Sequence, residues 1–288
     1  MRRVLITGIT SLHAWPLYKQ LTRQLGRDQV LGICPPKTKL ALFADDNVIP
    51  CCINDFGQLH GIFDHFKPTH VMHAAGLCDL DVCELWPALA YHRNVEGTRN
   101  IVALSRDCHV LYMSTDLVFS GQHAPAHGYH DTCRPDPISM IGKTFVQAED
   151  AVSQLADVTI VRKGLPMGPS LSRRKGPIDY LSHRFRQGKL LTLFYDELRS
   201  AIYSDDLTSG VLQLWAMEAR GLYHLGGPRK VSLYDIGAYV IDTHQYDPAC
   251  LIRASRFEDT VGLPRIGDVS LNSQRTYDLL QYTPRPWP

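Results

Sequence analysis

Three stretches of this sequence carry side chains able to do chemistry. The first is Thr7-Gly8-Ile9-Thr10-Ser11-Leu12-His13-Ala14, directly after the apolar run Val4-Leu5-Ile6-Thr7. A turn leading from a buried strand into a helix offers unpaired N–H groups and the positive end of a helix dipole, which together suit a phosphate. The second is the loop Gly121–Cys133, with His123, His127, His130 and Cys133. Imidazoles there serve either as acid/base groups near neutral pH or as metal ligands. Tight zinc sites draw paired ligands from two separate turns, whereas these four share one loop, so no metal is assigned and a solvated loop is expected. The third is Arg162–Lys189, where eight Lys or Arg face one Asp. Arg173, Arg174 and Lys175 are its candidates for an anionic ligand, with a solvated basic loop as the plainer alternative.

The elements that must position these residues show an α/β rhythm. Strand-like runs occur at Val4–Thr7, Val30–Ile33, Asn47–Ile49, His70–His73, Val110–Met113 and Val158–Val161, with helical patterns over 14–25, 57–66, 86–107 and 138–155. Such alternation predicts a doubly wound, Rossmann-type parallel sheet. After Arg162 the glycines and prolines multiply, a helix follows near 178–187, and the remainder breaks into short pieces. The expected division is a dinucleotide-binding core over 1–162 and a small C-terminal substrate lobe over 163–288, with some segments returning to the core. A chain of 288 residues with 44% hydrophobic residues buries a large core. Its net charge of +1 gives no field for holding DNA or an anionic membrane. No run approaches 18 apolar residues, so a cytoplasmic protein is expected. The eight cysteines are spread through a chain too long to need stapling and are read as free thiols.

In such a sheet a dinucleotide that prefers NAD meets a carboxylate after the second strand. Here Cys34-Pro35-Pro36-Lys37-Thr38-Lys39 follows. Lys37 and Lys39 suit a 2′-phosphate instead, so NADP is favoured over NAD if either binds. The candidate cofactor set is Gly8, Thr10, Ser11, Leu12, Lys37, Asp55, Ala74 and Ala75. Trp15 and Pro16, opening the first helix, allow three readings: a plug over the phosphate turn, a partner surface, or plain packing.

Several motifs resemble one family from end to end. The turn at Gly8 is similar to the TGxxGxxG fingerprint of extended short-chain dehydrogenases, with Ser11 and Ala14 replacing its second and third glycines. A Cβ at Ser11 stands where the backbone approaches a pyrophosphate, so binding is expected to be weakened. Ser114-Thr115-Asp116-Leu117-Val118-Phe119-Ser120-Gly121 resembles the STDYVFDG motif of dTDP-4-dehydrorhamnose reductases. His73-Ala74-Ala75-Gly76 with Cys83-Glu84 and Asn94-Val95, Arg199–Leu207, Gly221–Gly227, and Leu263-Pro264-Arg265 with Ser270-Leu271 resemble further motifs of that family in the same order.

The resemblance implies hydride transfer from a nicotinamide to a carbonyl, with a threonine and a Tyr-x-x-x-Lys pair supplying the proton. The helix Pro137–Glu149 aligns with PxxxYGxTKxxGE and puts Ile141 at the tyrosine and Phe145 at the lysine. Neither can donate a proton or hold a ribose. A slip of two residues places Ser139 and Lys143 at the same spacing, but a serine is a far weaker acid. Thr115, Asp116, Lys143 and Ser139 are therefore the catalytic candidates, and Arg199 and Tyr203 join the basic loop as substrate-binding candidates. The leading expectation is a family member with a dismantled redox centre, binding a nucleotide or nucleotide sugar. It acts as a binding or regulatory subunit, alone as a homo-oligomer or with a protein partner, as the regulatory subunits of methionine adenosyltransferase resemble the same reductases. The alternatives are an atypical NADP-dependent reductase or dehydratase using Thr115, and a metal-dependent lyase on the histidine loop.

Overall fold

The computed structural model describes residues 2–43, 46–171, 176–258 and 262–288. Arg173, Arg174 and Lys175, the basic-loop candidates, lie outside the described residues.

Six strands appear where the apolar runs placed them: β1 (Val4–Thr7), β2 (Val30–Cys34), β3 (Val48–Pro50), β4 (His70–His73), β5 (His109–Thr115) and β6 (Val158–Lys163). A seventh, Gly221–Leu225, pairs with β6 and was missed as a strand. All seven are parallel, in the order (221–225)-β6-β5-β4-β1-β2-β3. Consecutive residues of a strand face opposite sides of the sheet. In β1, Val4 and Ile6 join the cluster containing Leu17, Tyr18, Leu207 and Trp215, whereas Leu5 joins Leu59, Ile62 and Ile101 on the other face. Both faces are therefore covered, as a parallel sheet requires.

The helices include α1 (Ala14–Leu25), α2 (Phe56–Phe66), α3 (Leu80–Leu85), α4 (Pro87–Tyr91), α5 (Gly97–Leu104) and α6 (Met140–Val152). The pattern over 86–107 is not one uniform helix: α4 and α5 are joined by a π-turn at His92–Glu96. The cause lies at Asn94, whose side chain is buried and bonds the N–H and C=O of Leu77 as well as Thr144 Oγ1. A π-turn of this kind re-aims one side chain at the expense of regular pairing.

Beyond β6, helices at Ser204–Ala216 and Gln274–Leu280 pack against the sheet. A separate cluster, including Met167, Leu181, Phe185, Val231, Ile236, Val240 and Trp287, is built on three two-stranded sheets and the helices Pro177–Arg186 and Leu233–His244. Among the described residues no helix is long and apolar enough to cross a membrane.

Candidate functional site

Strand order reverses between β1 and β4, the position where open α/β sheets open a crevice at their carboxyl ends. Gly8 ends β1 there with φ +69°, and a Cβ on it would lie 2.6 Å from the Ala75 backbone. Glycine is thus required by the neighbouring strand end. Thr7 Oγ1 accepts the N–H groups of Ala74 and Ala75, both at 3.2 Å, and pairs with His73 Nδ1 at 2.7 Å. His73 Nε2 reaches Thr98 Oγ1 at 2.9 Å, so this buried imidazole is satisfied at both nitrogens. The backbone donors of Ala74 and Ala75 are spent inside the protein.

Ser11 caps the turn into α1. Its Oγ accepts the Ala14 N–H at 3.2 Å, its own N–H goes to Gly8 O, and its carbonyl accepts Trp15 N–H. Pro16 has no N–H. Within Ser11–Pro16 only the N–H groups of Leu12 and His13 have no partner among the described residues. Thr10 is half-buried beside this turn and Lys37 lies exposed on the turn after β2. Asp55 accepts Gln58 N–H at 3.0 Å and so caps α2. Trp15 stacks on Tyr18 at 5.5 Å and tilts against Phe43 at 5.2 Å, which is plain packing.

The other end of the crevice is shaped by α6. Ile141 and Phe145 are buried in one cluster with Tyr112, Ala148 and Ile160. The Phe145 ring lies against Gly76, where a Cβ would meet its edge at 3.0 Å, and 6.3 Å from the Tyr112 ring. Ser139 is the N-cap of α6, accepting Gly142 N–H at 3.2 Å, and Lys143 points to solvent. Replacing Ser139 with alanine is expected to cost about 1 kcal/mol, read as a fall of about 2–4 °C in melting temperature with unchanged ligand binding. A change in binding at unchanged melting temperature would return Ser139 to the site.

Thr115 ends β5 and is nearly enclosed; its hydroxyl bonds Asp116 Oδ1 at 3.1 Å and accepts Leu117 N–H. Asp116 is fully buried and held bidentately by Arg199, Nε to Oδ2 at 2.7 Å and Nη2 to Oδ1 at 2.5 Å. A catalytic candidate and a substrate-binding candidate therefore neutralise each other. Tyr203 lies tilted against Trp287 at 5.0 Å with Arg285 over its face. His123, His127 and His130 are exposed, and no group of three or more metal-binding side chains occurs among the described residues.

Three residues that sequence reasoning passed over stand at this crevice. Lys163, the last residue of β6 and register partner of Thr115, is 7% exposed and makes no hydrogen bond or ion pair with a described residue. Burial pushes its pKa down, Arg199 adds to this, and Cys78 and Asp116 oppose it. His13 is 9% exposed, also without a hydrogen bond, and burial followed by the charge of Lys163 holds it neutral, well below its usual range. Cys78, in the loop held by Asn94, is exposed yet feels Lys163, Arg199 and Asp116, and the surrounding protein raises its pKa. The signal for Lys163 was present: an apolar strand, Val-Thr-Ile-Val-Arg-Lys, ending in a lysine at the functional edge of the sheet.

Comparison with known proteins places this geometry in context. Residues 1–288 match the family described as RmlD substrate binding domain. The chain is 26% identical over 277 residues to methionine adenosyltransferase 2 subunit beta of Xenopus laevis, covering 92% of this chain and 78% of that one. It is also 26% identical over 253 residues to dTDP-4-dehydrorhamnose reductase of Aggregatibacter actinomycetemcomitans, covering 84% and 79%. Among solved structures, the fold matches dTDP-4-dehydrorhamnose reductase of Bacillus anthracis in complex with NADP at TM-score 0.80 and 19% identity, covering 100% and 96% of the two chains.

Proposed function

The chain belongs to the RmlD substrate-binding-domain family, and from that premise we propose that it is a binding or regulatory member in which the family's reductase centre has been dismantled. The observation that carries this reading is α6. The i, i+4 pair expected to supply a proton and a ribose anchor is Ile141 and Phe145, and both are committed to the hydrophobic core. Loss of a general acid alone removes about 10²–10⁴ in rate. Asp116 offers no substitute, because Arg199 holds it as a structural ion. Ser139 is used as a cap and Lys143 faces solvent.

The fit to a nicotinamide dinucleotide is uneven. At the phosphate end, two N–H groups have no partner among the described residues, while the space beside Gly8 is taken by the Ala74–Ala75 backbone. At the reacting end the buried Ile141 and Phe145 offer neither an acid nor a donor for a ribose. NADP or NAD binding is thus weakened, and a nucleotide or nucleotide sugar is the ligand class that the two N–H groups suit. The relative of like identity named as a subunit supports a role carried out on a protein partner.

Calorimetric titration with NADPH and with NADH tests this. The expected result is binding weaker than micromolar for both, with NADPH the tighter of the two through Lys37 and Lys39. Micromolar binding together with a binding loss in Thr115→Ala would overturn the reading in favour of an atypical reductase.

A further inference from the structure

The amino-terminal edge of the sheet, at the opposite end of the strands from the crevice, holds an open cavity of about 340 Å³ whose lining includes Thr69, His70, Arg106, Asp107, Asp157 and Glu218. His70 and His109 begin β4 and β5, and Asp157 directly precedes β6. The seven residues of β5 run from this cavity to Thr115, a span of about 20 Å.

One wall of the cavity carries a buried donor without an acceptor. His70 is 7% exposed, and its Nε2 has no hydrogen-bond partner among the described residues. Thr69 Oγ1 stands 2.8 Å from His70 Nδ1 and 3.3 Å from the Arg3 carbonyl, so its single hydrogen goes to Nδ1 and the imidazole carries its own on Nε2. Burial first, then His109 and Arg2, hold the pKa of this ring below its usual value, with Glu218 opposing, so it is neutral at pH 7. The carboxylate oxygen that Nε2 faces, Glu218 Oε1, is 3.7 Å away and already accepts Arg2 Nη2 at 2.9 Å.

The charges around this donor balance. Asp157 is held by Arg220 and by His109 Nδ1, and Glu218 by Arg2. Arg106 and Asp107 are exposed and make no hydrogen bond or ion pair with a described residue. The carboxylates of Asp107, Asp157 and Glu218 thus meet the guanidiniums of Arg2, Arg106 and Arg220, and a ligand of net charge of either sign is opposed. A ligand carrying both charges finds an unpaired guanidinium and an unpaired carboxylate in one cavity.

We infer that this cavity binds a small zwitterion of the α-amino-acid class, its carboxylate on Arg106 and the His70 Nε2–H and its ammonium on Asp107. Such charge-assisted bonds are the strong ones, and the volume leaves room for a side chain. The inference goes beyond the function proposed above and does not depend on it, since cavity and crevice lie at opposite ends of the sheet.

The test reads the melting temperature of the whole chain with each of the common L-amino acids at millimolar concentration, and with acetate and methylammonium as the two half-ligands. At least one amino acid is expected to raise it by about 2–4 °C when present at roughly ten times its Kd, and neither half-ligand should match that rise at equal concentration. Arg106→Gln and Asp107→Asn alter exposed, unpaired side chains, so each should melt as wild type does, yet each should weaken binding of that amino acid about 10- to 100-fold by calorimetry. A screen with no stabilising amino acid, a rise matched by acetate or by methylammonium alone, or binding that either variant leaves unchanged would overturn the inference. NADPH titration of both variants should reproduce wild type, and a shift there would contradict the separation of the two sites.

Discussion

Replacing Glu149 with alanine should lower the free energy of unfolding by about 3–5 kcal/mol, seen as a melting temperature about 10 °C lower. Glu149 lies on α6, and its carboxylate accepts hydrogen bonds from Arg162 Nε at 2.9 and 3.2 Å, from Arg162 Nη2 at 2.6 Å and from Ser114 Oγ at 2.5 Å. Both charged side chains are almost fully buried, at 5% and 7% exposure. The ion pair locks α6 to β5 and β6, the two strands that end at Thr115 and Lys163. Without Glu149, the Arg162 guanidinium is left against the Phe119 ring, 5.3 Å from its centroid, with no counter-charge. The double variant Glu149→Leu with Arg162→Met should recover most of the loss, since the penalty comes from an unpaired buried charge and not from absence of the pair. A single variant that melts within about 1 °C of wild type would show that the pair is solvated.

Stability should also fall as pH is lowered from 6.5 to 4. His73 and His224 are buried, and each has its pKa pushed down from 6.5 to about 4, by burial first and, for His224, by the charge of Arg162. In that window the unfolded chain takes up protons that the folded protein refuses. The stabilisation is complete above pH 6.5 and is lost on the way down, about 3 kcal/mol for each histidine. His13 and His70 are shifted in the same direction and add to the slope.

Glu197 works against them. Burial pushes it from 4.5 up to about 7, with neighbouring arginines opposing. The unfolded carboxyl ionises first, so its contribution is complete below pH 4.5 and is lost as pH rises to 7. Between pH 4.5 and 6.5 two histidines therefore outweigh one glutamate, with His13 and His70 adding to the excess. Denaturant titrations across this range should show stability rising by at least about 3 kcal/mol, and Glu197→Gln should steepen the rise and stabilise the protein at pH 8. A flat profile in wild type would mean that His73 and His224 are not neutral when folded.

Much of the sheet was legible in the sequence because β-branched runs ending at turns give strands whatever surrounds them. Val4–Thr7 and His70–His73 match to the residue. The strand Gly221–Leu225 was missed because its short apolar run was read only as a motif, and its burial depends on β6 beside it. The glycines and prolines after Arg162 obscured two helices of 12 and 13 residues. One of them carries a capping box in Ser232 and Asp235, a signal that was present and unused.

The site was less legible than the sheet. The apolar residues of α6, Ile141 and Phe145, could be read directly, and both are buried. The pairing of Asp116 with Arg199 joins residues 83 positions apart. Such contacts arise from the folded topology, and no local pattern in the chain encodes them.

The central claim, that no efficient reductase centre remains, is tested most directly by the initial rate of NADPH oxidation in the presence of dTDP-4-dehydrorhamnose, for wild type and for Thr115→Ala. The account predicts no rate above the protein-free control for either protein. Turnover on the order of 1–10³ s⁻¹ in wild type, falling about 10²–10⁴-fold in Thr115→Ala, would contradict it.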